Sequence, residues 1–337
     1  MGVMTKPSYQ MMVEKEALRA DLARLKANRR ETEATAMNSS VAVVGCGRWG
    51  AVHVASLLQL KQEGLIKRVI ACDLVVEAIE SIEDVDAHYT SWQSMCEHEA
   101  PNLVILATPN ETHTSLGMAF LAKGLHVLIE KPFGASPIEA QALLDTTLEN
   151  QAAVFSGHLL RHHAGFQHAK HLIENGTIGQ MVSATYKRST VRPRPPSTSL
   201  IDGLASHGID GIAYLFPGRF DFSNTKVTRQ MENQDAATFV IGNKRSTATI
   251  AVGWGMEKEL RSLCVIGSEG KIEVDFGQHT SITLNGETIN LKPSRPPLQT
   301  QVLAALHTPE MTPVQIKSIF DTAVNVEEVK LAMSGKI

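Results

Sequence analysis

Short apolar runs separated by helix-forming stretches fill the chain from Val41 to Phe155, and that alternation leaves few folds open to it. Val41-Ala42-Val43-Val44, Val69-Ile70-Ala71-Cys72, Leu103-Val104-Ile105-Leu106-Ala107, Val127-Leu128-Ile129 and Ala152-Ala153-Val154-Phe155 carry no polar residue. A strand solvated on one face alternates polar and apolar; a run apolar throughout is buried on both faces. Helices are predicted over residues 45–60, 91–97, 112–123 and 136–148, with a weaker strand near His88. Doubly buried strands, each followed by a helix, describe an α/β domain with a doubly wound parallel sheet.

The texture changes beyond residue 158. A helical stretch over 164–174 ends at Asn175-Gly176, and polar and apolar residues then alternate over 181–187, 237–241, 247–252, 262–266, 271–274 and 281–284. Gly242-Asn243 and Asn285-Gly286 supply turns. This pattern predicts a large, mostly antiparallel open sheet in a C-terminal α+β domain. Residues 293–297 read as a loop and 314–333 as a closing helix. Residues 1–39 stand apart. Leu18, Leu22 and Leu25 lie at helical spacing within 8–30, as a surface-docked helix or as an arm on another subunit, and 31–40 reads as a linker. The expected division is 1–39 as a helical extension and linker, 40–157 as a dinucleotide-binding domain, 158–312 as a substrate and oligomerisation domain, and 313–337 as a C-terminal helix.

A net charge of −3 gives no basic field for nucleic acid or an anionic membrane. No apolar run is long enough to span a bilayer, and the N-terminus lacks the apolar core of a signal peptide. Cys46, Cys72, Cys96 and Cys264 have no C-x-x-C spacing, so free thiols in a reducing cytoplasm are expected.

The turn after the first strand is Gly45-Cys46-Gly47-Arg48-Trp49-Gly50, in the order strand, G-x-G-x-x-G, helix. Such glycines permit a tight turn and close backbone approach to a pyrophosphate at a helix N-terminus. Asp73 closes the second strand, where a carboxylate accepts from adenosine ribose hydroxyls and repels a 2′-phosphate. Leu74-Val75-Val76 offers no arginine for that phosphate, so NAD is favoured over NADP.

These motifs, with others in the same order, resemble the Gfo/Idh/MocA family of NAD(P)-dependent oxidoreductases, named for glucose–fructose oxidoreductase, inositol dehydrogenase and a rhizopine-catabolism protein. The resemblance rests on Gly45 to Gly50 with His53, Ala107-Thr108-Pro109-Asn110 with His113, and Gly124-Leu125-His126-Val127 leading into Glu130-Lys131-Pro132. It continues through Gly157-His158-Leu159-Leu160-Arg161, the run Ile173 to Gly179, His207-Gly208-Ile209-Asp210 and Ser334-Gly335-Lys336. It implies a Rossmann domain followed by a domain whose open sheet packs on another subunit, hence a homodimer or homotetramer. It implies that Arg48 and Trp49 lie at the cofactor, that Thr108, Pro109, Asn110 and His113 line its nicotinamide side, and that Glu130 and Lys131 flank nicotinamide and substrate, with the Lys131–Pro132 peptide often cis.

Oxidising an alcohol with NAD needs a hydride acceptor, a base for the hydroxyl proton and positive charge near the developing alkoxide. Lys131, at the carboxyl end of a buried strand, supplies the charge. His207 is the candidate acid/base, because imidazole titrates near neutrality. The family's histidine usually follows an acid by four residues. Here that position is Gly203, and Asp202 lies five before, rotated away on an α-helix; Asp210, three after, is the other candidate partner. His53 alone reads as a packing or surface residue. His158, His162, His163, His168 and His171 lack accompanying cysteines or carboxylates, so no metal is expected. Arg188, Arg192 and Arg194 flank a proline-rich stretch that reads either as a solvated loop or as a clamp for an anionic sugar derivative, a sugar nucleotide or uronic acid. His158, Arg161 and Arg192 are therefore candidate substrate contacts. The expected activity is hydride transfer between nicotinamide and a hydroxyl or carbonyl carbon of a sugar, sugar derivative or cyclitol. The alternatives are a non-catalytic NAD(P)-binding sensor and a biliverdin-reductase-like or amino-acid-pathway reductase.

Overall fold

The computed structural model describes residues 37–196, 198–231, 235–243, 245–293, 295–308 and 310–335. The helix expected over 8–30 lies outside them. The first sheet comprises β1 (Ser40–Val44), β2 (Arg68–Cys72), β3 (Ala87–Tyr89), β4 (Leu103–Leu106), β5 (His126–Ile129) and β6 (Val154–Ser156). All pair in parallel, in the order β3-β2-β1-β4-β5-β6. β1 lies centrally, so the turn after it opens at the point where strand order reverses, the place where such sheets bind ligands.

Helices cover both faces: α1 (Arg48–Gln62), α2 (Val76–Glu80), α3 (Trp92–His98), α4 (His113–Leu121) and α5 (Pro137–Asn150). Ser136 caps α5 by accepting from the Glu139 N–H, with Pro137 in the first turn. The continuously apolar strands form two cores, one per face. Val41, Val43 and Ile105 face Leu57 and Leu60 of α1, whereas Ala42, Val104 and Val127 face Phe120 of α4 and Leu143 of α5.

The second sheet has eight strands: β7 (Met181–Ser189), β8 (Lys226–Gln230), β9 (Ala236–Asn243), β10 (Ser246–Gly253), β11 (Leu260–Gly267), β12 (Lys271–Asp275), β13 (Ser281–Leu284) and β14 (Glu287–Asn290). Their order is β14-β13-β12-β11-β7-β10-β9-β8, antiparallel except for the parallel pair β7–β10. One face buries Tyr186, Ile250 and Val265 against Phe166 of α6 (Ala164–Glu174) and Ile209 of α7 (Ser206–Leu215). The other carries Thr185, Lys187, Cys264, Glu273 and Thr283. The period-two pattern located the six inner strands. It missed β8 and β14, both edge strands, because an edge buries too little to impose alternation.

The stretch after residue 293 departs from expectation. Pro297 is not the end of a loop but the first residue of α8 (Pro297–Leu306). Val302 and Ala305 join the core beneath α1, and the Gln299 amide donates to Gln59 Oε1 at 2.8 Å. α9 (Pro313–Met333) follows, with Ile319 in the core of the opposite face. The C-terminal segment thus folds back onto the first sheet and fastens the second sheet to it.

Candidate active site

The three turn glycines do different work. Gly45 has φ +88°, and a Cβ there would lie 2.7 Å from the Thr108 nitrogen. A Cβ on Gly50 would lie 1.8 Å from the Gly45 carbonyl oxygen, so only hydrogen lets α1 start this close to β1. Gly47 has open space on its side-chain position and serves as the N-cap of α1 without a side-chain cap. The first N–H groups of α1 are therefore available to an anion, as a dinucleotide diphosphate requires. Asp73 reaches this turn: its Oδ2 accepts from the Cys46 N–H at 2.6 Å and its Oδ1 from the Val75 N–H at 2.9 Å.

Two further strand ends complete the wall. After β4, the chain runs through Thr108, Pro109 and Asn110 into α4, where buried His113 bridges two carbonyl oxygens, Thr108 at 2.9 Å and Pro132 at 3.0 Å. It ties the β4 turn to the turn after β5. That second turn is Glu130-Lys131-Pro132, with the Lys131–Pro132 peptide cis. Glu130 Oε1 lies 2.8 Å from His53 Nε2, and its Oε2 accepts from the Lys131 N–H at 3.2 Å. Burial pushes the Glu130 carboxyl up, but the His53 bond and the Lys131 charge outweigh it, so it stays below the usual range.

The second domain reaches the same place through a π-helical turn, Ile201–Ala205, that leads into α7. Lys131 Nζ donates to the Asp202 and Gly203 carbonyls, at 3.1 and 3.3 Å. Burial lowers its proton affinity; nearby Glu130 and Asp202 oppose that, and Arg48 and Arg188 add to it. Lys131 and His207 line one cavity of about 350 Å³, together with Arg48, Trp49, Thr108, Asn110, His113, Glu130, Arg192 and Trp254. Burial holds the His207 imidazole well below its ordinary pKa, and the Lys131 charge adds to the effect.

Neither candidate carboxylate is spent on His207. Asp202 turns to Lys330 Nζ at 2.9 Å and to Ser199 Oγ at 2.6 Å. Asp210 is buried under Arg161, whose Nε and Nη2 donate to it at 3.1 and 2.5 Å, and under Thr322 at 2.9 Å. His158 Nδ1 lies 3.4 Å from the same carboxylate, and burial takes that imidazole down to about 4. His158 and Arg161 line a different cavity, with Gln301 and Tyr214. The structure therefore does not bring Asp210 or Arg161 to the cavity that holds Lys131 and His207. A buried arginine pairs most readily with a buried acid, and no local sequence signal links residues this far apart.

The three arginines near the proline-rich stretch separate. Arg188 on β7 and Arg192 both line the cavity, Arg188 pairing with Glu259 at 3.1 Å, and Arg194 pairs with Asp235 at 2.8 Å. The stretch is not solvated slack: Gly255 N–H donates to the Arg192 carbonyl at 2.8 Å and Met256 N–H to that of Thr190 at 2.9 Å. Sequence reasoning missed two contributors. His53 is wholly buried and faces Glu130, and Trp254 packs on Gly203, where a Cβ would lie 2.8 Å from its Cζ2. A helical period places His53 on the inner face of α1, but only the fold sets Glu130 opposite it.

No group of three or more His, Cys, Asp or Glu side chains suited to a metal occurs among the described residues. Residues 39–158 match the model of an oxidoreductase family with an NAD-binding Rossmann fold, and residues 170–323 match that family's C-terminal alpha/beta domain. The chain is 30% identical over 185 residues to the inositol 2-dehydrogenase of Streptomyces avermitilis, 52% of each chain. It is 23% identical over 269 residues to the myo-inositol 2-dehydrogenase of Thermotoga maritima, 73% of this chain and 78% of that one. Apart from the latter, the chain spans about half the length of the curated relatives it matches. A levoglucosan dehydrogenase solved with NADH and levoglucosan shares the fold, with a TM-score of 0.74 at 17% identity over 89% of this chain and 98% of that one. With both of its domains matched in order, the chain belongs to the Gfo/Idh/MocA oxidoreductase family.

Proposed function

We propose that this protein is an NAD-dependent dehydrogenase that interconverts a carbinol and a carbonyl on a sugar, sugar derivative or cyclitol. The observation that carries the reading is that Lys131 and His207, from different domains, line one cavity beside the uncapped start of α1. The relatives named as inositol dehydrogenases support the substrate class. When bound, NAD supplies the acceptor for the carbinol hydride. Neutral His207 takes the hydroxyl proton, and Lys131 stabilises the developing alkoxide by hydrogen bond and charge. Asp73 retains lone pairs for ribose hydroxyls, and the exposed Leu74 beside it offers no charge to a 2′-phosphate, which supports NAD over NADP.

The division of labour follows the sequence reading: 40–157 holds the cofactor and 158–312 completes the substrate site. The polar face of the eight-stranded sheet is the proposed contact in a homodimer or homotetramer, and the free thiols suit a cytoplasmic setting. No helix among the described residues is long and apolar enough to cross a membrane. The test is NADH formation with a panel of cyclitols, sugars and sugar acids. Turnover that Lys131→Ala and His207→Ala abolish supports the dehydrogenase; tight NADH binding with no turnover on any of them returns the case to a sensor.

A further inference from the structure

The charges around the cavity do not balance. Four cations line it, Arg48, Lys131, Arg188 and Arg192, against two acids, Glu130 and Asp202. Glu130 bonds His53, Asp202 pairs with Lys330, and the charge of both also offsets Lys131. Arg188 has its own partner outside the cavity, Glu259. Arg48 stands in the first turn of α1, beside the place for the cofactor diphosphate. Arg192 is different. Its Nε donates to Thr190 Oγ1 at 3.4 Å, and among the described residues no carboxylate pairs with it. Its backbone is held by the Gly255 N–H, and its exposed side chain lines the cavity. Position 203, also on the cavity lining, has no side chain, and Thr198 and the Trp254 indole fill that space. A carboxylate from the protein cannot be placed there without displacing the ring.

We propose that Arg192 receives a carboxylate of the substrate, so that the protein acts on a polyhydroxy acid of the uronic or aldonic type in preference to the neutral sugar or cyclitol. This rests on the dehydrogenase reading and narrows its substrate. One uncompensated guanidinium matches one carboxylate, to which arginine offers two parallel N–H donors. A phosphate carries nearly two negative charges at neutral pH and calls for a second free cation. The acid group takes no part in the chemistry. His207 takes the hydroxyl proton, bound NAD would supply the acceptor for the carbinol hydride, and the carboxylate leaves as it entered. Arg48 and Arg188 also depress the proton affinity of Lys131, and a bound anion relieves that repulsion.

The experiment compares matched pairs, D-glucuronate with D-glucose, D-galacturonate with D-galactose and D-gluconate with D-glucitol, by initial rates of NADH formation. The expected result is a kcat/KM for at least one acid about tenfold or more above its neutral partner, with a preference that shrinks as salt is raised. Arg192→Gln should reduce the acid-to-neutral ratio by a similar factor, whereas Arg194→Gln, already paired with Asp235, should preserve it. A faster neutral partner in every pair, or an unchanged ratio in Arg192→Gln, overturns the proposal and leaves the dehydrogenase reading standing. If no compound of the six reacts with enzyme that binds NADH, the proposal fails, and failure of the wider panel then takes the dehydrogenase reading with it.

Discussion

His53 Nε2 lies 2.8 Å from Glu130 Oε1, joining α1, whose N-terminus has no side-chain cap, to the strand end that carries Lys131. His53 is wholly buried and Glu130 nearly so, at 14% exposure of its side chain. One contact therefore ties α1 to the turn after β5.

Removing either partner leaves the other buried and uncompensated. His53→Ala is expected to cost about 3 kcal/mol of stability in urea denaturation. The double variant His53→Ala/Glu130→Gln should lose less than the two single variants added together, because no charge is stranded. Simple additivity in that cycle would mean the contact carries no coupling.

Lys131→Ala should lower kcat about a hundredfold or more, because it removes the charge and hydrogen bond at the developing alkoxide. Lys131→Arg should restore part of the charge but not the contact with the Asp202 and Gly203 carbonyls, and so recover only part of the rate. Full activity in Lys131→Ala would remove it from the chemistry.

The pH profile of kcat/KM follows from the two shifted groups. His207 is held neutral well below its ordinary pKa, by burial first and then by Lys131, His158 and Arg188, with Asp210 opposing. The acidic limb should therefore appear only below about pH 6.5. Lys131 is shifted down, so the alkaline limb should begin below the ordinary lysine value of about 10.4 and disappear in Lys131→Arg. An acidic limb centred above neutrality would contradict a buried, neutral His207.

Two alanine substitutions separate folding from binding. Gly50→Ala drives a Cβ to within 1.8 Å of the Gly45 carbonyl and should destabilise the first domain by about 2 kcal/mol or more. Gly47→Ala meets nothing and should melt like the parent, yet weaken NADH binding about tenfold because its methyl enters the space left for the diphosphate. Thermal melts with and without NADH distinguish the two.

Acid should weaken the fold in two stages. Burial takes His158, His162 and His163 down to about 4, so between roughly pH 6.5 and 4 the unfolded chain binds protons that the folded chain refuses. Their contribution is complete above the unfolded value and is lost as pH falls through that window. Asp210 acts lower. Burial raises its carboxyl, but Arg161, His158 and the Thr322 bond outweigh that and hold it below the usual range. Its stabilisation is present above about pH 3.9 and is lost only as pH falls through its lower folded value. A melting temperature constant from pH 7 to 4 would rule out the first stage.

Much of this architecture was legible in the chain, for reasons of local chemistry. Runs such as Leu103-Val104-Ile105-Leu106 cannot be solvated on either face, so they name their own layer. Gly45, Gly47 and Gly50 mark a turn whose spacing has one common use, and Lys131 stands at a strand end where ligands bind. Other features depend on residues far apart in sequence. His53 looks like any buried histidine until β5 places Glu130 opposite it. Asp210 reads as a partner for His207 until the chain brings Arg161 and Thr322 against it, because a buried carboxylate goes to the strongest donors within reach. Arg188, Arg192 and Arg194 are alike on paper; packing supplies Glu259 to the first and Asp235 to the last, and leaves Arg192, which lines the cavity as Arg188 does, without a carboxylate among the described residues. The sequence by itself determined the layers and the cofactor turn, since these follow from local burial and backbone freedom. Only the tertiary structure decided which charges are neutralised and which face the cavity, because pairing depends on distances that no local pattern encodes.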